Sequence, residues 1–376
     1  MATGSGQLHS YSATQPQKRT VSDRIILADV MENATLNALG LNNESKFSFV
    51  NTPGKIYEWL EDTYAPVTDT GVSGLTASST TTTFVGTAGT VYNLGDVIKI
   101  DDEYMWVSGI SGTTITVTRN YGGTQATHSD TSAITIVGSN RLEGASANDS
   151  PWTEPTTGYN YSTILQRTIE ISRTDARINQ YGIPGVVDRE IDKKMDELLM
   201  KLNKQFFHGQ RKAGSSTTPR SAGGFQTFAT TNKNALSSTP ALTQKHIEDE
   251  MQDCWDAGGK PKLLICGGWA KRKIADFYSS SVRTERSEQL GGVTIEKIMM
   301  PLGVELDVLV DRHCQTNTLY IVDTDHVGFI TLDDFFFEDL GKTKDTAAYG
   351  QVVGEYGLVV AFEKAHSYVS GFSTSS

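Results

Sequence analysis

Seven large apolar side chains, Val187, Ile191, Met195, Leu198, Leu199, Leu202 and Phe206, recur at the three- and four-residue spacing that puts them on one face of a helix. Pro184 and Gly185 precede them, Asp188 and Glu190 occupy the electropositive first turn, and Gly209 follows as a stop, so the spacing predicts a helix of at least about five turns. Glu190/Lys194 and Glu197/Lys201 stand in the favourable i,i+4 order, which is worth about 0.2 to 0.5 kcal/mol per pair. Burying seven such side chains contributes an upper bound of roughly 10 to 20 kcal/mol. Packing therefore decides this helix, and its apolar face requires a sheet beneath it.

The chain has 376 residues, enough for two or three domains. With 33 Lys and Arg against 44 Asp and Glu, the net charge of -11 excludes the basic field of a dedicated nucleic-acid-binding protein. The cysteines Cys254, Cys266 and Cys314 are widely spaced, so neither a disulfide framework nor a zinc knuckle is expected and a reducing compartment fits. Residues 1–22 have no apolar run behind their few basic residues, so no secretory signal is expected. The longest apolar clusters, residues 263–266 and 358–362, fall far short of the roughly 18 needed to span a bilayer.

Residues 1–17 lack hydrophobic periodicity and read as an arm, and Ile26, Val30, Ala34 and Leu36 suggest a short helix within residues 22–41 that stops at Gly40. In residues 56–62, Tyr57, Trp59 and Glu61 alternate with Ile56, Glu58, Leu60 and Asp62, which gives a strand with one aromatic face that needs a partner. From Pro66 the composition turns to Ser, Thr and Gly until about Val137. Strands are legible at residues 97–100, 104–107, 114–118 and 133–137, with Ile115 and Val117 on one face and Thr114, Thr116 and Thr118 on the other. A small antiparallel barrel or sandwich is expected here. Trp106 and Tyr121 could form a sugar-binding patch, but general burial favours core or turn aromatics.

Beyond this module a strand is expected over residues 164–171, followed by the long helix and a polar connection from His208 to Leu242 in which Phe225 and Phe228 act as pins. Thr243 can cap a helix carrying Ile247, Met251, Cys254 and Trp255 that ends at Gly258 and Gly259. A buried strand at residues 262–266, a helix after Gly268 and strands at 293–299, 304–310, 318–322, 327–332 and 351–368 complete a mixed α+β pattern.

Chemistry-bearing motifs are sparse. No G-x-S-x-G, H-E-x-x-H, Walker loop or G-x-G-x-x-G occurs. Asp323, Asp325, Gly328 and Asp334 match part of a calcium loop, but Val327 takes a ligand place and the flanks read as strands, so a hairpin turn is the expectation. Asp311, His313 and Cys314 could ligate a metal, yet no supporting pair stands elsewhere at the right spacing. His366 lacks a positioned nucleophile and reads as structural. Asp333, Asp334, Glu338 and Asp339 flank Phe335, Phe336 and Phe337, which fits a strand edge better than a glycosidase pair. The expectation is a protein without catalytic residues, cofactor or metal.

Several segments, taken in order, resemble the major capsid protein of tailed bacteriophages, the fold named after phage Hong Kong ninety-seven, in a form with a β insertion in its extended loop. They are Tyr57-Glu58-Trp59-Leu60-Glu61-Asp62, Asn140-Arg141-Leu142-Glu143-Gly144-Ala145 and Asn160-Tyr161-Ser162-Thr163-Ile164-Leu165-Gln166-Arg167. Later ones are Gly341-Lys342-Thr343-Lys344-Asp345, Gly354-Glu355-Tyr356-Gly357-Leu358 and Glu363-Lys364-Ala365-His366. The resemblance implies an N-terminal arm (residues 1–45), an extended loop with outgoing strand (46–64), an inserted β domain (65–138) and a return strand (139–171). It further implies a peripheral domain with a spine helix (172–241), an axial domain (242–345) and C-terminal strands of the peripheral domain (346–376).

The function it implies is a structural protein that self-assembles as hexamers and pentamers of an icosahedral shell around double-stranded DNA without reading its sequence. Expected partners are further copies of the chain, a separate scaffolding protein, a portal and decoration proteins; expected places are the host cytoplasm during assembly and the virion afterwards. Tyr57, Trp59, Glu61, Arg141, Glu143 and Arg167 are the expected intersubunit contacts. An encapsulin-like nanocompartment shares the implied fold, and a β-rich surface adhesin would account for the Thr/Gly-rich module alone.

Overall fold

The computed structural model describes residues 33–41, 50–51, 54–70, 82–87, 89–129, 132–146, 154–178, 185–278, 282–284, 296–301, 303–341 and 348–375. The expected arm, most of the helix expected over residues 22–41, and Lys342 to Asp345 lie outside the described residues. The chain divides into two compact units, Leu60–Thr157 and the remainder on either side of it.

In the larger unit the spine helix spans Val186–His208, starts after Gly185 and ends where the Gly209 N–H reaches back to the Gln205 carbonyl. Leu198, Leu202, Phe206 and Phe207 are buried, whereas Val187, Ile191 and Met195 are half-buried against Ile169, Ile171 and Val352. The apolar face is thus deepest at its C-terminal half, where the two phenylalanines meet Phe225, Phe329 and Tyr320. The expected Glu197/Lys201 pair gives way to Lys194, 2.9 Å from Glu197, with Arg167 of the adjoining strand 3.7 Å away. A strand side chain competes for the same carboxylate, which spacing along the helix alone does not reveal.

Beneath the helix lies a four-stranded sheet in the order Val50–Asn51, Val327–Asp339, Ala348–Val360, Thr163–Ile171, the first pair parallel and the others antiparallel. A seven-stranded mixed sheet follows the order Lys233–Ala235, Ser367–Ser370, Thr318–Val322, Leu263–Cys266, Glu305–Val310, Glu296–Met299, Val282–Thr284. Its Leu263–Cys266 strand is buried throughout, and the helices Gln244–Asp256 and Gly268–Phe277 contribute Ile247, Met251, Ala270 and Ile274 to the adjoining core. Thr243 caps the first of these helices in a reciprocal box with His246, as its position predicted, but Trp255 points outward with 54% of its surface exposed. The helix face there is narrower than the run of apolar letters suggested.

Two further expectations are corrected. The turn after Val322 is not a hairpin, because Thr318–Val322 and Val327–Asp339 belong to different sheets. The run expected over residues 351–368 is two strands, broken where Phe362 takes a left-handed φ of 52° and a single turn at Glu363–Ala365 carries the chain into the second sheet. His366 sits at this crossing, fully buried, accepting from the Asp323 N–H on Nδ1 and facing the Ala361 carbonyl with Nε2. Burial pushes it down to about 4, and two backbone partners fix its tautomer, so the structural reading stands.

The segment Ala34–Leu41 is tied in by one carboxylate. Asp311, 1% exposed, accepts from the Thr35 N–H (3.0 Å) and hydroxyl (2.6 Å) and from Asn203 Nδ2 of the spine helix (2.9 Å) on one oxygen, and from the His313 N–H on the other. Its oxygens are thereby used, and among the described residues no cluster of three metal-ligating side chains occurs. Asp323 is likewise consumed by the N–H groups of Lys260 and Asp325 and by His326, while Asp325 pairs with Lys262 at 2.8 Å.

The smaller unit is an antiparallel six-stranded sheet in the order Thr68–Thr70, Ala133–Ser139, Asp96–Ile100, Glu103–Ser111, Thr114–Gly123, Thr83–Val85. Phe84, Ile98, Ile100, Met105, Val107, Ile115, Val117 and Ile134 form its own core, and alternation puts Thr114 and Thr118 on the outer face. Asp69 of one edge strand accepts from the Thr87 N–H just beyond the other edge and from the Tyr92 hydroxyl (2.7 Å), so the sheet curls until its edges are stitched together. Trp106 is half-buried and donates to the Asn140 carbonyl; Tyr121, expected in the core or a turn, is a strand residue with half its ring exposed.

Glu103 is fully buried in this unit. Arg119 holds it bidentately at 3.0 and 2.6 Å, His128 Nε2 lies 3.0 Å away, and the Ala126 N–H donates to it. Burial acts to raise its carboxyl, but these donors outweigh burial and hold it down to about 2. Because the folded value lies below the ordinary 4.5, the contribution is present above that pH and is lost as pH falls toward about 2. Acid titration followed by circular dichroism therefore shows the β unit weakening in that window. Glu103→Gln leaves Arg119 buried without its counter-charge and destabilises the unit by about 3 to 5 kcal/mol at neutral pH in denaturant unfolding.

Candidate assembly surface

The strands Ile56–Glu61 and Thr156–Tyr161 pair as a two-stranded ribbon. Such a ribbon is marginal in water by itself, so its stability depends on what packs at its root. Alternation places Tyr57 and Trp59 on one side, and Trp59 is 7% exposed, packed among Phe228, Ile330, Val359 and Ala361. The Phe228 ring centroid lies 5.8 Å from the indole and Tyr57 stacks on it at 6.3 Å. Opposite, Gly158 leaves the space the indole needs, since a Cβ there would come within 2.5 Å of Trp59.

The return strand is fixed as firmly. Asn160 is fully buried, donates from Nδ2 to the carbonyls of Leu358 (2.6 Å) and Gly223 (3.0 Å), and accepts from the Gly223 N–H (2.8 Å). The Arg211 guanidinium lies over the Tyr159 ring at 4.4 Å and over Phe228 at 5.5 Å, and donates to the Tyr159 carbonyl. Arg220 donates to the Ser162 carbonyl and pairs with Glu355, which also accepts from the Ser162 hydroxyl. Together these contacts bind the ribbon root to the segment after the spine helix and to the Ala348–Val360 strand.

The aromatic face expected to await a neighbouring molecule is therefore covered by the chain's own fold. Trp59 is an internal anchor, because Phe228 and the Val359–Ala361 stretch reach it first. The uncovered surface belongs to other residues: Ile56, then Leu60 with 74% exposed, Tyr64 fully exposed, and Val67. A groove of about 570 Å³ lies beside the root, lined by Lys55, Ile56, Tyr161, Ile164, Pro219 and Arg220 among others. On the Val327–Asp339 strand, paired with Ala348–Val360, Phe336 and Phe337 are exposed beside Glu338 and Asp339, and Leu340 just past it is exposed too.

Of the other expected contacts, Glu61 is half-buried, and Arg141 and Glu143 are exposed in a turn region where a return strand was expected. Arg141 is tied to the Leu94 and Ser146 carbonyls, and the return strand begins only at Thr156. Arg167 is exposed on the Thr163–Ile171 strand beside Glu197. The structure brings Tyr57 and Trp59 together. Sequence reading passed over Gly158 and Arg211, and gave neither Asn160 nor Phe228 its role at the ribbon root. A glycine and an asparagine two apart in a strand was the available signal, since both weaken a strand unless a close approach or a buried amide requires them.

Trp59→Ala is expected to destabilise the isolated subunit by about 3 to 5 kcal/mol in denaturant unfolding. Leu60→Ser and Tyr64→Ser, on exposed positions, should leave that stability within about 0.5 kcal/mol.

The family model described as SU10 major capsid protein matches residues 6–373. No curated protein matches the chain. Among solved structures, the cyanophage A-1(L) capsid asymmetric unit aligns with a TM-score of 0.55 and 11% identity, covering 97% of this chain and 99% of that one. A chain of Mycobacterium phage Bobi aligns with a TM-score of 0.49 and 10% identity over 94% and 95% of the two chains. An encapsulin complex from Synechococcus elongatus PCC 7942 covers 59% of this chain and 78% of that one, with a TM-score of 0.45 and 9% identity.

Proposed function

This chain belongs to the SU10 major capsid protein family, a structural protein of the phage virion built from many identical copies, and on that premise we propose how the copies are joined. The ribbon root is held by Trp59, Asn160 and Arg211, and the exposed side chains Leu60, Tyr64 and Val67 of the following segment meet adjacent subunits of a pentamer or hexamer in an icosahedral shell. The observation that carries this reading is the contrast along one strand: Trp59 is 7% exposed and its neighbour Leu60 is 74% exposed. Alternation sends one face inward to the chain's own core and the other outward.

Each such contact is modest. A subunit in a closed shell makes several at once, so release of one copy requires their joint loss and disassembly is slow. The net charge of -11 supports a container that repels packaged polyanionic DNA rather than gripping it. In this reading the chain has no catalytic role, the unit Leu60–Thr157 is an insertion in the extended loop, and a separate scaffolding protein, a portal and decoration proteins work with it during assembly in the host cytoplasm. The nanocompartment alternative is the weaker one, because the phage capsid family match runs through the whole β unit to residue 373.

Sedimentation and negative-stain microscopy of the protein, alone and with a candidate scaffold, test the proposal. Shells or capsomers are expected. Leu60→Asp combined with Tyr64→Asp should yield folded subunits that fail to assemble. A stable 40.9 kDa monomer under every condition, or shells formed equally well by the double variant, would overturn it.

A further inference from the structure

The helix Gln244–Asp256 buries Ile247, Glu250, Met251 and Cys254. Three of these suit an apolar seam and one is a carboxylic acid. Glu250 is 5% exposed, and its Oε2 has no hydrogen-bond partner. Asn234, from the Lys233–Ala235 strand, supplies a side-chain hydrogen bond. On the Ser367–Ser370 strand, the buried Ser367 hydroxyl lies beside the Cys254 thiol.

The charges around Glu250 do not compensate it. On its own helix Asp253 and Asp249 both act against ionisation, and Lys245 is occupied 2.6 Å from Asp249. Burial pushes the Cys254 thiol up to about 11, so it brings no charge. At the turn Glu363–Ala365, Glu363 is bound by the hydroxyls of Thr230 and Thr231, and Lys364 is exposed. His366, next to Ser367, is neutral and committed to Asp323 and Ala361. Lys233 is exposed at the edge strand.

We propose that Glu250 is a proton-dependent fastener: uncharged, it lets the helix Gln244–Asp256 seat on the strands Lys233–Ala235 and Ser367–Ser370, and on losing its proton it loosens that seam. A neutral carboxyl can share one hydrogen bond with Asn234 and leave its other oxygen dry at modest cost, whereas a carboxylate cannot, because desolvating a charge without a counter-ion is far more costly. Burial first, then Asp253, raise the group to about 7, against an ordinary 4.5. Since the folded value is the higher one, the seam is at full strength below about 4.5 and weakens as pH rises through about 7. The shell protein thus carries a device that answers to pH near neutrality.

Hydrogen exchange of the full-length protein at pH about 6 and about 8.5, corrected for intrinsic rates, reads this out, because the two values bracket the transition and lie well above that of His366. In the wild type, protection of residues 244–256 and 367–370 should fall roughly tenfold or more between them, one pH unit of linkage being tenfold. Glu250→Gln, which keeps the shape and cannot ionise, should hold its protection constant. Parallel behaviour of wild type and variant, whether both lose protection or neither does, overturns the proposal. Should the variant fail to fold, infrared difference spectra of the wild type decide: a protonated carboxylic band present at the lower pH and gone at the higher supports it, and its absence at the lower pH overturns it.

Discussion

The fit of one indole into one missing side chain sets the rest in place. Trp59 occupies space that Gly158 leaves open, and behind it stand Phe228, Ile330 and Val359. An antiparallel ribbon of two short strands has little stability of its own, so without this root it would sample many directions and any contact at its exposed residues would be made at a large entropic disadvantage. With the root fixed, the outward face carrying Ile56 is pre-oriented. The same principle of order imposed from behind runs through Asn160 and Arg211, which bind the return strand to backbone and aromatic groups of the parent fold.

What the root is fixed to is itself held by few, specific groups. The spine helix delivers Phe206 and Phe207 into an aromatic cluster with Phe225, Tyr320 and Phe329, which joins the four-stranded and seven-stranded sheets through one core. Asp311 adds directional bonds that apolar packing lacks, linking the spine helix through Asn203 to the N-terminal segment through Thr35. A buried carboxylate with four donors is a strong constraint on register, because each donor lost leaves a desolvated group less well compensated. The small β unit repeats this logic, with an apolar core of its own and one buried Glu103–Arg119–His128 network.

Much of this was legible because it is periodic. The spine helix, the Thr243-capped helix, the Leu263–Cys266 strand and the strands around Ile115 and Val117 all announce themselves through spacing and stops. The failures share a cause. Whether the Tyr57/Trp59 face is covered by the same chain or by another depends on Phe228 and Val359, which lie far along the sequence, and alternation reports only that a face is apolar. Trp255 looked like core for the same reason and is exposed. Glu197 takes Lys194 and Arg167 rather than Lys201 because a strand passes beside the helix. The break at Phe362 needs a left-handed residue that apolar continuity hides. Assignment of the family came from the order of several individually weak segments, and the match over residues 6–373 upholds it.

The most direct test of the central claim is an electron cryomicroscopy reconstruction of the assembled particle at side-chain detail. The account requires Trp59 against Phe228 and Val359 of its own chain, with Leu60, Tyr64 and Val67 covered by an adjacent copy. A shell in which those three side chains stay in solvent, or in which the indole of Trp59 is exchanged onto a neighbouring subunit, would contradict it.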